Sequence, residues 1–177
     1  KDQLLSAASE IFSRQGYDKT KVSDITKQAG VGHGTFYHYF KSKKDIFLEL
    51  IKNFLFMLNN GISTLSIENA ETREEIEDNI KDLYRVIFKT YQDNLHMGKM
   101  FFEETINEPE IKEIKSYFYK FCTEFITKYI QTGVEKGLLR EYNTEVIAYA
   151  IIGMAKEVAA QYLKEDGKYE VEYLVEN

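Results

Sequence analysis

The chain has 177 residues, 44% hydrophobic and 29% charged, the composition of an ordinary globular protein long enough to bury a core unaided. Its single cysteine, Cys122, excludes an intrachain disulfide, and its longest apolar run, residues 54–58, is far too short to cross a bilayer. The formal net charge of −6 argues against a nucleic-acid partner, yet residues 1–45 carry eight Lys/Arg against five Asp/Glu, a net of +3, while the remainder carries fifteen against twenty-four, a net of −9. A mildly basic head on an acidic body suggests two functional units, 1–45 and 46–177. With no signal-peptide pattern visible, a cytoplasmic protein is expected.

Helical periodicity runs through nearly the whole chain, which has only one proline, Pro109. Leu4, Ala8, Ile11 and Phe12 mark a first helix that Gly16 stops. Thr20 is a candidate cap for a short second helix carrying Val22, Ile25 and Ala29, ended by Gly30. A third short helix is expected over 33–40. Ser42 and Asp45 resemble a capping box for a long fourth helix through Phe47, Leu50, Phe54, Leu58 and Ile62. A cleaner box, Thr72-x-x-Glu75, opens a fifth helix with Ile76, Ile80, Leu83, Tyr84, Ile87, Phe88 and Tyr91 on its apolar face. A shorter helix is expected around 95–106. Pro109 suits the first turn of the next, which continues through Ile114, Phe118, Phe121, Phe125, Tyr129 and Val134 to Gly137, with a break or kink near 115 possible. Asn143 and Thr144 are cap candidates for the last long helix, with Ile147, Ile151, Met154, Val158 and Tyr162. The tail from 169 alternates a little, but one short piece without a partner makes no sheet. The fold class is all-α.

The stretch from Val22 to Phe40 stands apart, because three glycines, Gly30, Gly32 and Gly34, fall within five residues. A short helix, a glycine turn and a second short helix make a helix-turn-helix. Phe36 and Phe40, four apart, would pack against Ile25 and the first helix. His33, Thr35, Tyr37 and His38 then point outward, as a recognition helix requires. Gly34 lets backbone approach a phosphate closely. Lys43, in the first turn of the fourth helix, adds a charge where backbone N–H groups already attract anions.

Residues 16–50 resemble the DNA-binding segment of the tetracycline-repressor (TetR) family of bacterial regulators. The resemblance rests on Gly16-Tyr17, Thr20, Asp24-Ile25, Ala29-Gly30-Val31, Gly34, Phe36-Tyr37, Tyr39-Phe40 and Lys41-Ser42-Lys43. It implies that His33, Thr35 and His38 approach bases, and that Thr20, Tyr37, Tyr39 and Lys43 contact phosphates of a palindromic double-stranded operator. Tyr39 reads equally well as a rim aromatic. Gly32 departs from the pattern, since a serine cap usually stands there, and Lys21 replaces a frequent threonine or serine. The resemblance further implies a homodimer built from the last two long helices, about 117–137 and 143–164, where Ala148, Gly153, Ala155 and Ala159 would let backbones meet. Ordinary packing within the chain explains those small residues nearly as well. It also implies a pocket for a small hydrophobic effector among the middle helices, with Phe88, Tyr91, Phe121 and Phe125 as lining candidates. A lipid, a drug-like cation and an aromatic metabolite all remain open.

No catalytic or metal-binding set is legible, and no cofactor or membrane partner is implied. His96 has no i, i+4 histidine beside it, Glu103-Glu104 reads as a solvated face, and Cys122 reads as inert core. The reading is therefore a ligand-controlled transcriptional regulator, most simply a repressor, and not an enzyme. The alternative is an all-helical binding or carrier protein whose helix-turn-helix is incidental.

Overall fold

The computed structural model describes residues 1–65, 69–102, 108–164 and 170–176, with 162–164 described by backbone alone. Among the described residues every regular element is a helix. In chain order these are α1 (Asp2–Gln15), α2 (Val22–Gln28), α3 (His33–Tyr39), α4 (Lys43–Ser63), α5 (Arg73–Asp93), α6 (Leu95–Phe102), α7 (Pro109–Glu135), α8 (Thr144–Lys164) and α9 (Val171–Glu176). Glu103 and Glu104 lie outside the described residues, as does the end of the helix expected to reach 106.

Local chemistry sets most of the boundaries. Gly30, at φ 65°, makes the turn between α2 and α3 that a residue with a Cβ would strain. The Ser42 hydroxyl accepts the Asp45 N–H at 3.2 Å, and the Asp45 carboxylate accepts the Lys41 N–H at 2.9 Å. The Thr72–Glu75 box is reciprocal, with both bonds at 3.2 Å. Asn143 caps α8 by accepting the Val146 N–H at 3.1 Å. The cap proposed for α2 is different. The Thr20 hydroxyl donates to the Gly16 carbonyl at 2.7 Å, and Asp24 holds the helix start by accepting the Lys21 N–H at 2.9 Å. That bond keeps the Asp24 carboxyl below the usual carboxylate range.

Pro109 sits in the first turn of α7, which runs unbroken past 115. The tail, which offered no clear pattern, forms α9 and docks on α5. There Arg85 donates to Glu172 at 3.0 Å and to Glu176 at 2.9 Å, while Val171, Leu174 and Val175 pack on the core.

One apolar cluster runs from head to body. Leu4, Phe12, Ile25, Phe36 and Phe40 continue through the α4 stripe of Phe47, Leu50, Ile51, Phe54 and Leu58 to Phe88, Tyr91 and Phe101. Some of its aromatic rings meet edge to face, as quadrupoles favour, with Phe12–Phe47 at 5.1 Å and 89° and Phe54–Tyr91 at 5.6 Å and 72°. A smaller cluster, Ile126, Ile130 and Ala148, joins α7 to α8.

Three of the residues expected at a dimer interface belong to the protomer's own interior. Ala148, Ala155 and Ala159 are buried, with Ala159 in the main cluster, because α8 packs that side on its neighbours. Gly153 lies on the opposite side and opens to solvent. Met154, expected on the apolar inner face, is 55% exposed.

Gly98 packs flat beneath the Tyr91 ring, and a Cβ there would collide with it. Gly98→Ala is expected to lower stability by about 1–3 kcal/mol through overpacking, despite the better helix propensity of alanine. Urea unfolding midpoints with unchanged slope check this.

Candidate DNA interface and effector pocket

Among the described residues, none accepts a hydrogen bond from, or donates one to, a side chain on the polar face of α3. Its helix is pinned by Phe36 and Phe40, both buried, with Phe36 completely enclosed. That anchoring leaves His33, Gly34, Thr35, Tyr37, His38 and Tyr39 all exposed. Tyr37 stands edge-on against Phe36 at 5.4 Å, and His38 and Tyr39 meet edge-on at 4.9 Å, so the rings brace one another. Gly34 has nothing within 4 Å of where a Cβ would stand, so packing inside the chain does not explain the glycine. Gly32 occupies the N-cap of α3 with no side-chain bond to the first turn.

Two of the expected phosphate contacts are engaged inside the chain. Thr20 is buried with its hydroxyl on Gly16. The Lys43 ammonium donates to the Tyr17 carbonyl at 2.7 Å and the Asp18 carbonyl at 3.2 Å, and lies 4.4 Å from the Tyr17 ring centre. It fastens the start of α4 to the α1–α2 turn, and among the described residues only these two carbonyls accept from it, leaving a third donor on the ammonium.

Hydrogen bonds tie the head to α6 and to the start of α7. Tyr17 donates to Glu108 at 3.4 Å, and burial together with that carboxylate pushes the phenol up to about 12. Lys44 donates to Glu110 at 2.7 Å, which keeps the Glu110 carboxyl below its ordinary range. His96 of α6 shares a 2.8 Å hydrogen bond with Ser13 of α1. Glu108 and Glu110 flank Pro109, so two of these ties end on the first turn of α7.

Further along α7 lies an apolar pocket of about 60 Å³, room for only a few waters. α4 contributes Leu58 and Ile62, α5 Leu83, Ile87 and Tyr91, α6 Phe102, α7 Phe118, Tyr119, Phe121, Cys122, Phe125 and Ile126, and α8 Ile151, Ile152, Ala155 and Lys156. Three of the four expected lining residues, Tyr91, Phe121 and Phe125, are therefore brought together. Phe88 is not: it belongs to the main core, where its ring stacks on Tyr84 at 5.7 Å and 13°. Cys122, read as core, is pocket wall, and burial pushes its thiol up to about 12, leaving it a weak nucleophile. Phe118 and Phe121 also form one side of an open groove of about 620 Å³ between α4 and α7, with Lys52, Phe56 and Tyr117. The pocket and the groove thus share these two aromatic side chains. Among the described residues no group of His, Cys, Asp and Glu is placed to hold a metal, and no helix is long and apolar enough to cross a membrane.

The model of the family described as bacterial regulatory proteins, tetR family, matches residues 4–50. These are α1 to α3 and the start of α4, the segment whose outward face has just been described. That segment is of the TetR family. A fatty acid metabolism regulator protein of Bacillus subtilis (strain 168) is 27% identical over 176 residues, covering 96% of this chain and 86% of that one. The fatty acid degradation regulator FadR of Bacillus halodurans superposes with a TM-score of 0.78 at 26% identity, over 99% of this chain and 90% of that one. The FadR of Bacillus subtilis, solved in complex with stearoyl-CoA, superposes with a TM-score of 0.77 at 24% identity, over 99% and 93%. The fold is thus that of TetR-family regulators throughout, and homologues along most of its length are transcriptional regulators.

The TetR-family reading gives Gly34 a purpose outside the chain. Gly34→Ala is expected to raise thermal stability, since alanine costs α3 about 1 kcal/mol less than glycine and meets no clash. The same change is expected to weaken DNA binding, because the new methyl stands where duplex backbone would approach. Melting curves beside mobility shifts check this; equal DNA affinity in both proteins would return Gly34 to a neutral surface role.

Proposed function

We propose that the head, residues 1–45, reads a palindromic operator as one half of a homodimer, and that the body, residues 46–177, releases it when a hydrophobic effector enters. The carrying observation is the exposed polar face of α3 on a three-helix head, whose side chains make no hydrogen bond to any described residue. His33, Thr35 and His38 are assigned to base edges. Tyr37, Tyr39 and the remaining N–H of Lys43 are assigned to phosphates, with Gly34 allowing the close approach. Thr20 serves this interface indirectly, by fixing the turn that Lys43 grips. Binding DNA as a bacterial regulator, the protein would act in the cytoplasm.

The second subunit is assigned to the outward side of α8. Val146, Tyr149, Ala150, Gly153 and Met154 recur every three or four residues there, and Tyr149 remains 59% exposed. That apolar stripe suits a self-complementary contact, with Gly153 at the closest approach. For the effector, the relatives concerned with fatty acids and the stearoyl-CoA bound to one of them support a long-chain acyl compound. The ligand-free pocket is too small for such a chain, so Phe118 and Phe121 must move, and α7 with them. The movement would reach the head through Glu108 and Glu110. A ligand that binds the shifted state better lowers DNA affinity by the same factor.

Selection from random duplexes is expected to return a palindrome with half-sites one helical turn or a multiple apart. Met154→Asp is expected to give monomers in sedimentation and to lose that palindrome while staying folded. Random recovery of sequences by the wild-type protein would sink the regulator reading, leaving a carrier protein. The paired change Glu108→Gln with Glu110→Gln is expected to leave acyl-CoA binding intact but to cut the release of DNA at saturating ligand. Full release by that variant would place the coupling elsewhere.

A further inference from the structure

We infer that the Tyr91 hydroxyl is the specificity donor of the body pocket, reserved for a carbonyl or similar acceptor oxygen on an otherwise apolar effector. The inference rests on the pocket reading above and refines what the pocket takes.

Among the described residues, only two buried side-chain polar atoms lack a hydrogen bond, the hydroxyls of Tyr91 and Thr127. Their situations differ. A helical threonine can turn to the carbonyl one turn back at little cost. The Tyr91 ring has no such freedom. Gly98 lies flat against it, Phe54 meets it edge-on at 5.6 Å, and Phe102 packs at 4.9 Å. Tyr91 is only 2% exposed, so water does not reach the oxygen from outside. Buried polar groups in folded chains are overwhelmingly paired, and an orphan held this rigidly asks for an explanation.

The pocket supplies one. Tyr91 is part of its wall, Tyr119 is another part, and the two phenols lie close enough to interact. The rest of the described lining is aliphatic or aromatic, apart from the Cys122 thiol and Lys156. Burial raises the phenol well above its ordinary value, so it stays protonated and can give a hydrogen bond. The matching ligand group is an acceptor. No carboxylate is found in the described lining, and Lys156 is its one charged side chain, so cations are disfavoured. Of the three effector classes left open by the sequence, the drug-like cation is set aside. A neutral or anionic lipid bearing a carbonyl near its chain fits best.

The probes are methyl nonyl ketone and its hydrocarbon isostere, in which a methylene replaces the carbonyl oxygen. Dissociation constants are read from ligand-dependent unfolding of wild-type protein and Tyr91→Phe. Wild type is expected to prefer the ketone by about tenfold, the usual discrimination when a buried donor is left unpaired. Tyr91→Phe is expected to erase that preference, to bind the isostere as wild type does, and to be no less stable without ligand. Equal loss of both probes would make Tyr91 a shape residue and overturn the inference, as would unchanged ketone binding or a destabilised variant. If neither probe nor palmitoyl-CoA raises the wild-type melting temperature, the pocket reading itself fails, and this assignment falls with it.

Discussion

The α4 stripe is the constraint on which the rest depends. Ile46, Phe47, Leu50, Ile51, Phe54, Leu58 and Ile62 are all buried along one helix of 21 residues. The first of them close the core of the head, where Phe47 touches both Phe12 and Tyr17. The last two form pocket wall. A continuous helix with one buried stripe cannot shift one end without stressing the other, because packed side chains tolerate little change in volume. Head orientation and pocket occupancy are therefore properties of one packed unit.

The first turn of α7 complements that helix. Its two acidic residues hold Tyr17 and Lys44 by bonds that cross from body to head. The Lys44–Glu110 ion pair, being exposed, adds little to global stability, but it is directional and cheap to break. A hundredfold loss of DNA affinity needs only about 2.8 kcal/mol of differential ligand binding. A few weak ties, all made in one arrangement of α7 and lost in another, are on that scale. Phe118 and Phe121, which line both the pocket and the outer groove, stand on the same helix.

Local rules in the sequence were enough for the helices themselves. Gly16, Gly30 and Gly137 end elements at positive φ, and the Thr72–Glu75 and Asn143 caps start them, because these events involve only a few neighbouring residues. The faces of α3 followed from a four-residue spacing of Phe36 and Phe40. Thr20 misled, since a hydroxyl near a helix start can serve either the helix or the preceding turn. The last turn-length helix, α9, was unreadable because six residues carry too little periodicity and their hold on Arg85 comes from more than eighty positions away.

By itself, then, the sequence determined an all-α chain, the helix-turn-helix, its outward face and the family those residues signal. Tertiary structure alone decided which side of α8 is inside, that Phe88 is core while Phe118 and Cys122 are pocket wall, and that Tyr91 carries an unanswered donor. The physical reason is the range of the interactions. A cap or a helix face is fixed within about one turn of chain. Whether an alanine meets its own protomer or another, or a phenol finds a partner, depends on helices distant in sequence that converge on the same few ångströms.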